Sequence, residues 1–142
     1  MSNLDLDRIG AITLRVSLGL MFLAHSVILK YFTFTLAGTA QYFASIGLPS
    51  GLAYLVFAME AVGGILLVLG IQTRWVALSL VPVLIGAMWV HIGNGWVFNA
   101  TNGGWEYPLF LIVIAVVVAL QAPAVAPWRE HSGLAQRSTP ST

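Results

Sequence analysis

An all-α integral membrane four-helix bundle is the fold this sequence predicts, on three observations: its composition, four long apolar stretches, and the kinds of connection between them. Of the 142 residues, 58% are hydrophobic and 8% are charged. A soluble domain carries about 25% charged residues, so there is too little charge here to cover a surface facing water. The net charge of +1 offers no basic footprint for nucleic acid. The sequence holds no cysteine, which removes disulfides, thiol redox chemistry, Cys-ligated iron–sulfur clusters and Cys-zinc sites.

The four stretches approach the roughly 20 residues that a bilayer-spanning helix needs. They run over about 9–29, 52–71, 74–92 and 105–122. Asp5 and Asp7 precede the first, and Arg15 interrupts it, so it reads as a retained membrane helix rather than a signal peptide. The second contains Glu60, set against eleven Leu, Ile, Val or Phe residues between Leu52 and Ile71. A central charge costs roughly 3 kcal/mol and each large apolar residue returns about 0.3–0.6, so insertion is still favoured.

The connections differ in kind. Gly70 to Arg74 is a tight hairpin, in which Gly70 is expected to end one helix in a left-handed conformation and Thr73 to cap the next. Lys30 to Gly51 is longer and is expected to contain a short amphipathic helix at the interface, ended by Gly47-Leu48-Pro49. Asn94-Gly95 and Asn102-Gly103-Gly104 are turn signals before the fourth span. Trp96 and Trp105 suit an aromatic belt. Pro82 falls inside the third span and Pro108 near the start of the fourth, where proline is tolerated. Residues 1–124 thus form the membrane domain, and 125–142 a polar, flexible tail. Arg8, Arg74, Arg129 and Arg137 fall on one side of the membrane and only Lys30 on the other. The positive-inside rule then puts both termini in the cytoplasm of a bacterial-type inner membrane.

Ionisable groups at membrane depth face the bundle interior and often mark function. At about 1.5 Å per residue, Arg15 falls roughly 10 Å and Glu60 roughly 16 Å from the cytoplasmic end, with His25 at roughly 24 Å and His91 at roughly 26 Å. Arg15 and Glu60 are therefore the candidate buried ion pair, either fixing helix register or taking part in proton or quinone chemistry. Gly63 and Gly64 lie beyond Glu60 on its helix face, where another helix can approach. His25 and His91 are candidates for interhelical hydrogen bonds, for binding a quinone carbonyl, or for relaying a proton. With Glu106 they could also hold a metal ion, although no close His-x-x-His or Glu-x-x-His spacing supports this. Lys30, Asn94, Glu106 and Tyr107 fall at a similar depth. Lys30 reads as an ordinary snorkelling residue.

Arg15-x-x-x-Gly19-Leu20-x-Phe22-Leu23-x-His25, followed by Lys30, resembles the first-helix pattern of DoxX-like proteins. Phe43, Gly47-Leu48-Pro49, Glu60-x-x-Gly63-Gly64, Leu69-Gly70-x-x-Thr73-Arg74, His91 and Gly104-x-Glu106-Tyr107-Pro108 continue the resemblance in order, over roughly residues 8–122. The resemblance implies four spans and a redox or quinone context, without assigning a reaction. Ser26 departs from it, since the family often has Gly after the histidine, which puts close packing there in doubt.

The resemblance makes a quinone- or redox-linked accessory subunit of a membrane oxidoreductase the leading expectation, with Glu60 and Arg15 as the reactive pair. His25, His91, Lys30, Glu106 and Tyr107 would be the quinone-binding candidates. The lipid bilayer, a membrane or peripheral oxidoreductase, and further copies of the chain are the expected partners. A small proton-coupled transporter gated by Glu60 and a non-catalytic scaffold are the alternatives. The shortness of the chain and the lack of a visible inverted repeat count against the transporter.

Overall fold

A computed structural model describes residues 3–122; the expected tail at 125–142 lies outside them. The described residues are helical with no strand. Helix α1 spans Asn3–Leu23 and continues as a π-helix over Ala24–Thr33. Helix α2 spans Leu36–Ser45, α3 Gly51–Leu69, α4 Thr73–His91 with a 3₁₀ turn at Ile92–Asn94, and α5 Glu106–Gln121. Three helical stretches are long and apolar enough to cross a membrane: Asp5–Thr33, Gly51–Leu69 and Thr73–Asn94. At 16 residues, α5 reaches about 24 Å and is the shortest of the four long helices.

The second, third and fourth expected spans match α3, α4 and α5 to within about two residues. The first falls short at both ends. Its polar start is helical because Asp5 sits in the first turn, where a carboxylate interacts favourably with the helix dipole. Its far end runs on through Tyr31, Phe32 and Thr33.

Helix α1 packs on α3 and α4 on α5, while α3–α4 and α1–α5 contacts close the ring. The α1–α3 crossing is close because glycines face each other. A Cβ on Gly19 would lie 2.8 Å from the Gly64 carbonyl oxygen, and one on Gly64 would lie 2.9 Å from that of Gly19. Gly63 serves another neighbour, since its missing side chain makes room for Leu80 of α4. Leu18, Phe22, Leu67, Leu80, Leu84, Leu111, Ala115 and Val118 form the core between the helices. Large apolar residues also cover the outside, among them Leu20, Trp75, Trp89 and Leu120. That is the pattern expected when lipid is the solvent, because outward apolar side chains then cost nothing.

The expected hairpin forms, with Gly70 left-handed at φ 76°. Thr73 is not its cap, however. Gln72 takes that place at φ 47° with no side-chain bond, and Thr73 is buried as the first residue of α4. The expected short helix appears as α2. Thr35 caps it by accepting from Gly38 N at 3.0 Å, and Gly47 at φ 81° follows its end. Ser26 packs without strain, fully buried, because its hydroxyl donates to the Phe22 carbonyl at 2.8 Å.

Candidate functional site

Glu60 is buried midway along α3, and the cation beside it is Lys30, with Nζ to Oε2 at 2.5 Å. The Lys30 side chain is 17% exposed and that of Glu60 8%. The π-helix makes this pairing possible. In an α-helix, five residues turn through 500°, which would leave Lys30 about 140° around from His25. The wider turn of a π-helix, bonded i to i+5, brings such residues closer to one face. His25 lies within electrostatic reach of the Glu60 carboxylate. Three ionisable side chains from two helices thus gather at one place inside the bundle.

Arg15 does not reach Glu60, which corrects the ion pair expected from depth. Its guanidinium lies against Gly70 at the α3–α4 turn, where a Cβ would overlap it, and its Nε is buried without a hydrogen-bond partner. Helix register is the physical reason. Pairing Gly19 with Gly64 sets Arg15 opposite the end of α3, ten residues from Glu60, or about 15 Å of helix rise. Glu60 therefore takes the cation from the far end of the first helix, and Lys30 is an ion-pair partner rather than a free snorkelling residue.

His25 projects from the first turn of the π-helix. Its Nδ1 lies 3.0 Å from the Met21 carbonyl oxygen. A carbonyl only accepts, so Nδ1 carries the proton, and in the neutral ring Nε2 is left as an acceptor. Among the described residues, nothing hydrogen-bonds that Nε2. The ring stacks on Tyr107 of α5 at 6.0 Å between centroids and 24° between planes, and the Tyr107 hydroxyl points to the Met21 sulfur. Met21 therefore anchors both aromatic groups, a role that nothing in its sequence position signals.

His91 sits apart from this cluster. Its Nδ1 is 2.7 Å from the Ala87 carbonyl, and its Nε2 edge packs against Gly103. Asn94 donates to the Asn102 and Gly103 carbonyls in the same loop. Glu106, at the start of α5, accepts from Phe98 N at 2.8 Å, while its own N–H donates to the Trp96 carbonyl. His25, His91 and Glu106 are not brought together, and among the described residues no three His, Asp or Glu side chains converge on a common metal position. Of the binding candidates, His25, Lys30 and Tyr107 gather around Glu60 and Met21, whereas His91 and Glu106 brace the loop.

Beside Tyr107, on the side of the loop, a groove of about 470 Å³ opens outward between that loop and α5. Trp96, Phe98, Phe110 and Val113 line it together with Glu106 and Tyr107.

Comparison with known proteins identifies the family of the chain. The DoxX family model matches residues 10–93, which hold Arg15, His25, Lys30, Glu60 and His91. The chain belongs to the DoxX family. It is also similar to the "Putative oxidoreductase CatD" of Bacillus subtilis (strain 168), at 44% identity over 113 residues, covering 79% of this chain and 78% of that protein. No solved structure matches it. Family membership and its apolar helices make this DoxX protein a multi-pass membrane protein, with the bilayer as its surroundings.

Proposed function

We propose that this DoxX protein is a quinol-binding accessory subunit of a membrane oxidoreductase. In this reading it crosses a bacterial inner membrane four times, with both termini in the cytoplasm. The observation that carries the proposal is the cluster of His25, Lys30 and Glu60 at membrane depth, closed on one side by Tyr107. Intramembrane ionisable groups are expensive and mark function by default. The oxidoreductase named among its relatives supports a redox setting.

The tautomer of His25 selects the redox form. A quinone carbonyl needs a donor, and neutral His25 presents an acceptor at Nε2. A quinol hydroxyl is a donor and fits. His25 would take the hydroxyl proton at Nε2, and the imidazolium so formed would be stabilised by the nearby Glu60 carboxylate. Lys30 lies against that carboxyl group, 2.5 Å from its Oε2. Oxidation of bound quinol to quinone releases two electrons and two protons, of which His25 takes one proton and the other leaves to the partner with the electrons. The chain has no cysteine to ligate a cluster, so a partner oxidoreductase receives the electrons in this reading. Arg15 holds the α3–α4 turn in place rather than reacting.

The test is equilibrium binding by the full chain in lipid nanodiscs, comparing reduced and oxidised forms of one isoprenoid quinone. Quinol should bind at least tenfold tighter than quinone, and His25→Ala should remove the difference while His91→Ala keeps it. Equal binding of both forms, or binding indifferent to His25→Ala, contradicts the proposal.

A further inference from the structure

We propose that the groove between the α4–α5 loop and α5 receives the isoprenoid tail of the quinol, and that the ligand enters sideways through it from the bilayer. This rests on the quinol reading above and adds to it the route and the residues that select for a tail.

Glu106, Phe110 and Val113 recur at helical spacing along the first two turns of α5, so they share one face. Trp96 and Phe98 form the opposite wall. That wall is pinned to the start of α5 by the Glu106 carboxylate on Phe98 N and by Glu106 N on the Trp96 carbonyl. Trp96 is further held edge-on against Trp105 at 4.5 Å. The two walls are therefore held in place relative to each other, around an open groove of about 470 Å³.

Its position and chemistry name the occupant. Phe110 and Val113 are 59% and 51% exposed on an apolar helix of the bundle, so the groove opens toward acyl chains and not into water. Tyr107 lines the groove and also stacks on His25, so the groove and the proposed head site share that side chain. The lining's one carboxylate is that of Glu106. A carboxylate repels a headgroup of net negative charge and leaves an uncharged ligand indifferent. A neutral head with an apolar, branched tail fits, and an anionic lipid does not.

The experiment uses the full chain in nanodiscs and two quinols with the same head ring, one bearing two isoprene units and one bearing none. Binding is read by native mass spectrometry. Val113→Trp, which fills the groove, should weaken the tailed quinol at least tenfold and leave the tailless one unchanged. A photoreactive group on the tail should label the segments 96–98 and 106–113 in the wild-type chain, which keeps the test independent of how the variant folds. Unchanged binding of the tailed quinol to Val113→Trp, or labels elsewhere, overturns the groove assignment while the quinol reading stands. A phospholipid retained by the wild type and lost from Val113→Trp assigns the groove to an acyl chain and also overturns it. Binding of neither quinol to the wild type overturns the quinol reading itself.

Discussion

Lys30 and Glu60 are the residues on which the interior of this protein turns. Each is a charge removed from water, and each is tolerable because the other stands 2.5 Å away. Removing one partner of a buried pair strands the other, whereas replacing both with apolar side chains removes the desolvation penalty as well. Lys30→Met should therefore destabilise the protein by about 3–5 kcal/mol, measured by unfolding in mixed micelles. Lys30→Met with Glu60→Met should recover most of that loss. A double variant as unstable as the single one would show that the two side chains are not coupled. The pairing was hidden in the sequence because depth counted along each helix says nothing of lateral register. Arg15 and Lys30 compete for Glu60 on paper, and the meeting of Gly19 with Gly64 decides between them. His25, by contrast, was legible as a candidate binding residue. Its reversal from donor to acceptor needed the geometry of the Met21 carbonyl.

At the scale of elements, two features position the site: the close α1–α3 crossing and the π-helix that follows it. The crossing depends on backbone meeting backbone at Gly19 and Gly64, so there is no flexible side chain to move aside. Gly64→Leu should push α1 from α3 and cost at least about 1–3 kcal/mol, the range for overpacking a close-packed interior. It should also loosen Lys30 from Glu60. Because Lys30 is the chain's only lysine, its modification by an amine-reactive ester, read by mass spectrometry, reports that loosening directly. Several-fold faster labelling in Gly64→Leu is expected, and an unchanged rate would mean that the crossing does not set the pair. The helices themselves were largely legible, since runs of apolar residues bounded by Gly47, Gly70 and the Asn-Gly turns leave few other choices. The π-helix was not, because i to i+5 bonding has no sequence period of its own. Its 10 residues exceed the single turn usual for such elements, which recur at functional sites.

For the whole molecule, the outside is as apolar as the inside, and the membrane accounts for both. Composition alone gave that away, through 8% charged residues and no means of covering a wetted surface. Orientation rests on the basic residues near the span ends. The absence of cysteine makes it simple to test with single cysteines and a membrane-impermeant thiol reagent. Gln72→Cys, at the exposed α3–α4 turn, should react only after the inner membrane is opened. Thr101→Cys, in the exposed α4–α5 loop, should react in intact spheroplasts. The reverse pattern would invert the topology and place the groove in the cytoplasmic leaflet.

The claim on which the functional account stands is that His25 holds its proton on Nδ1 and offers a bare Nε2 to a quinol hydroxyl. Nitrogen-15 NMR of histidine-labelled protein in lipid tests this most directly, with His91→Gln and His131→Gln variants assigning the signals of the three histidines. The account predicts, for the neutral ring of His25, an unprotonated Nε2 signal that shifts saturably on adding quinol and a proton that stays on Nδ1. A His25 ring protonated on Nε2 from the outset, or one that ignores bound quinol, would contradict it.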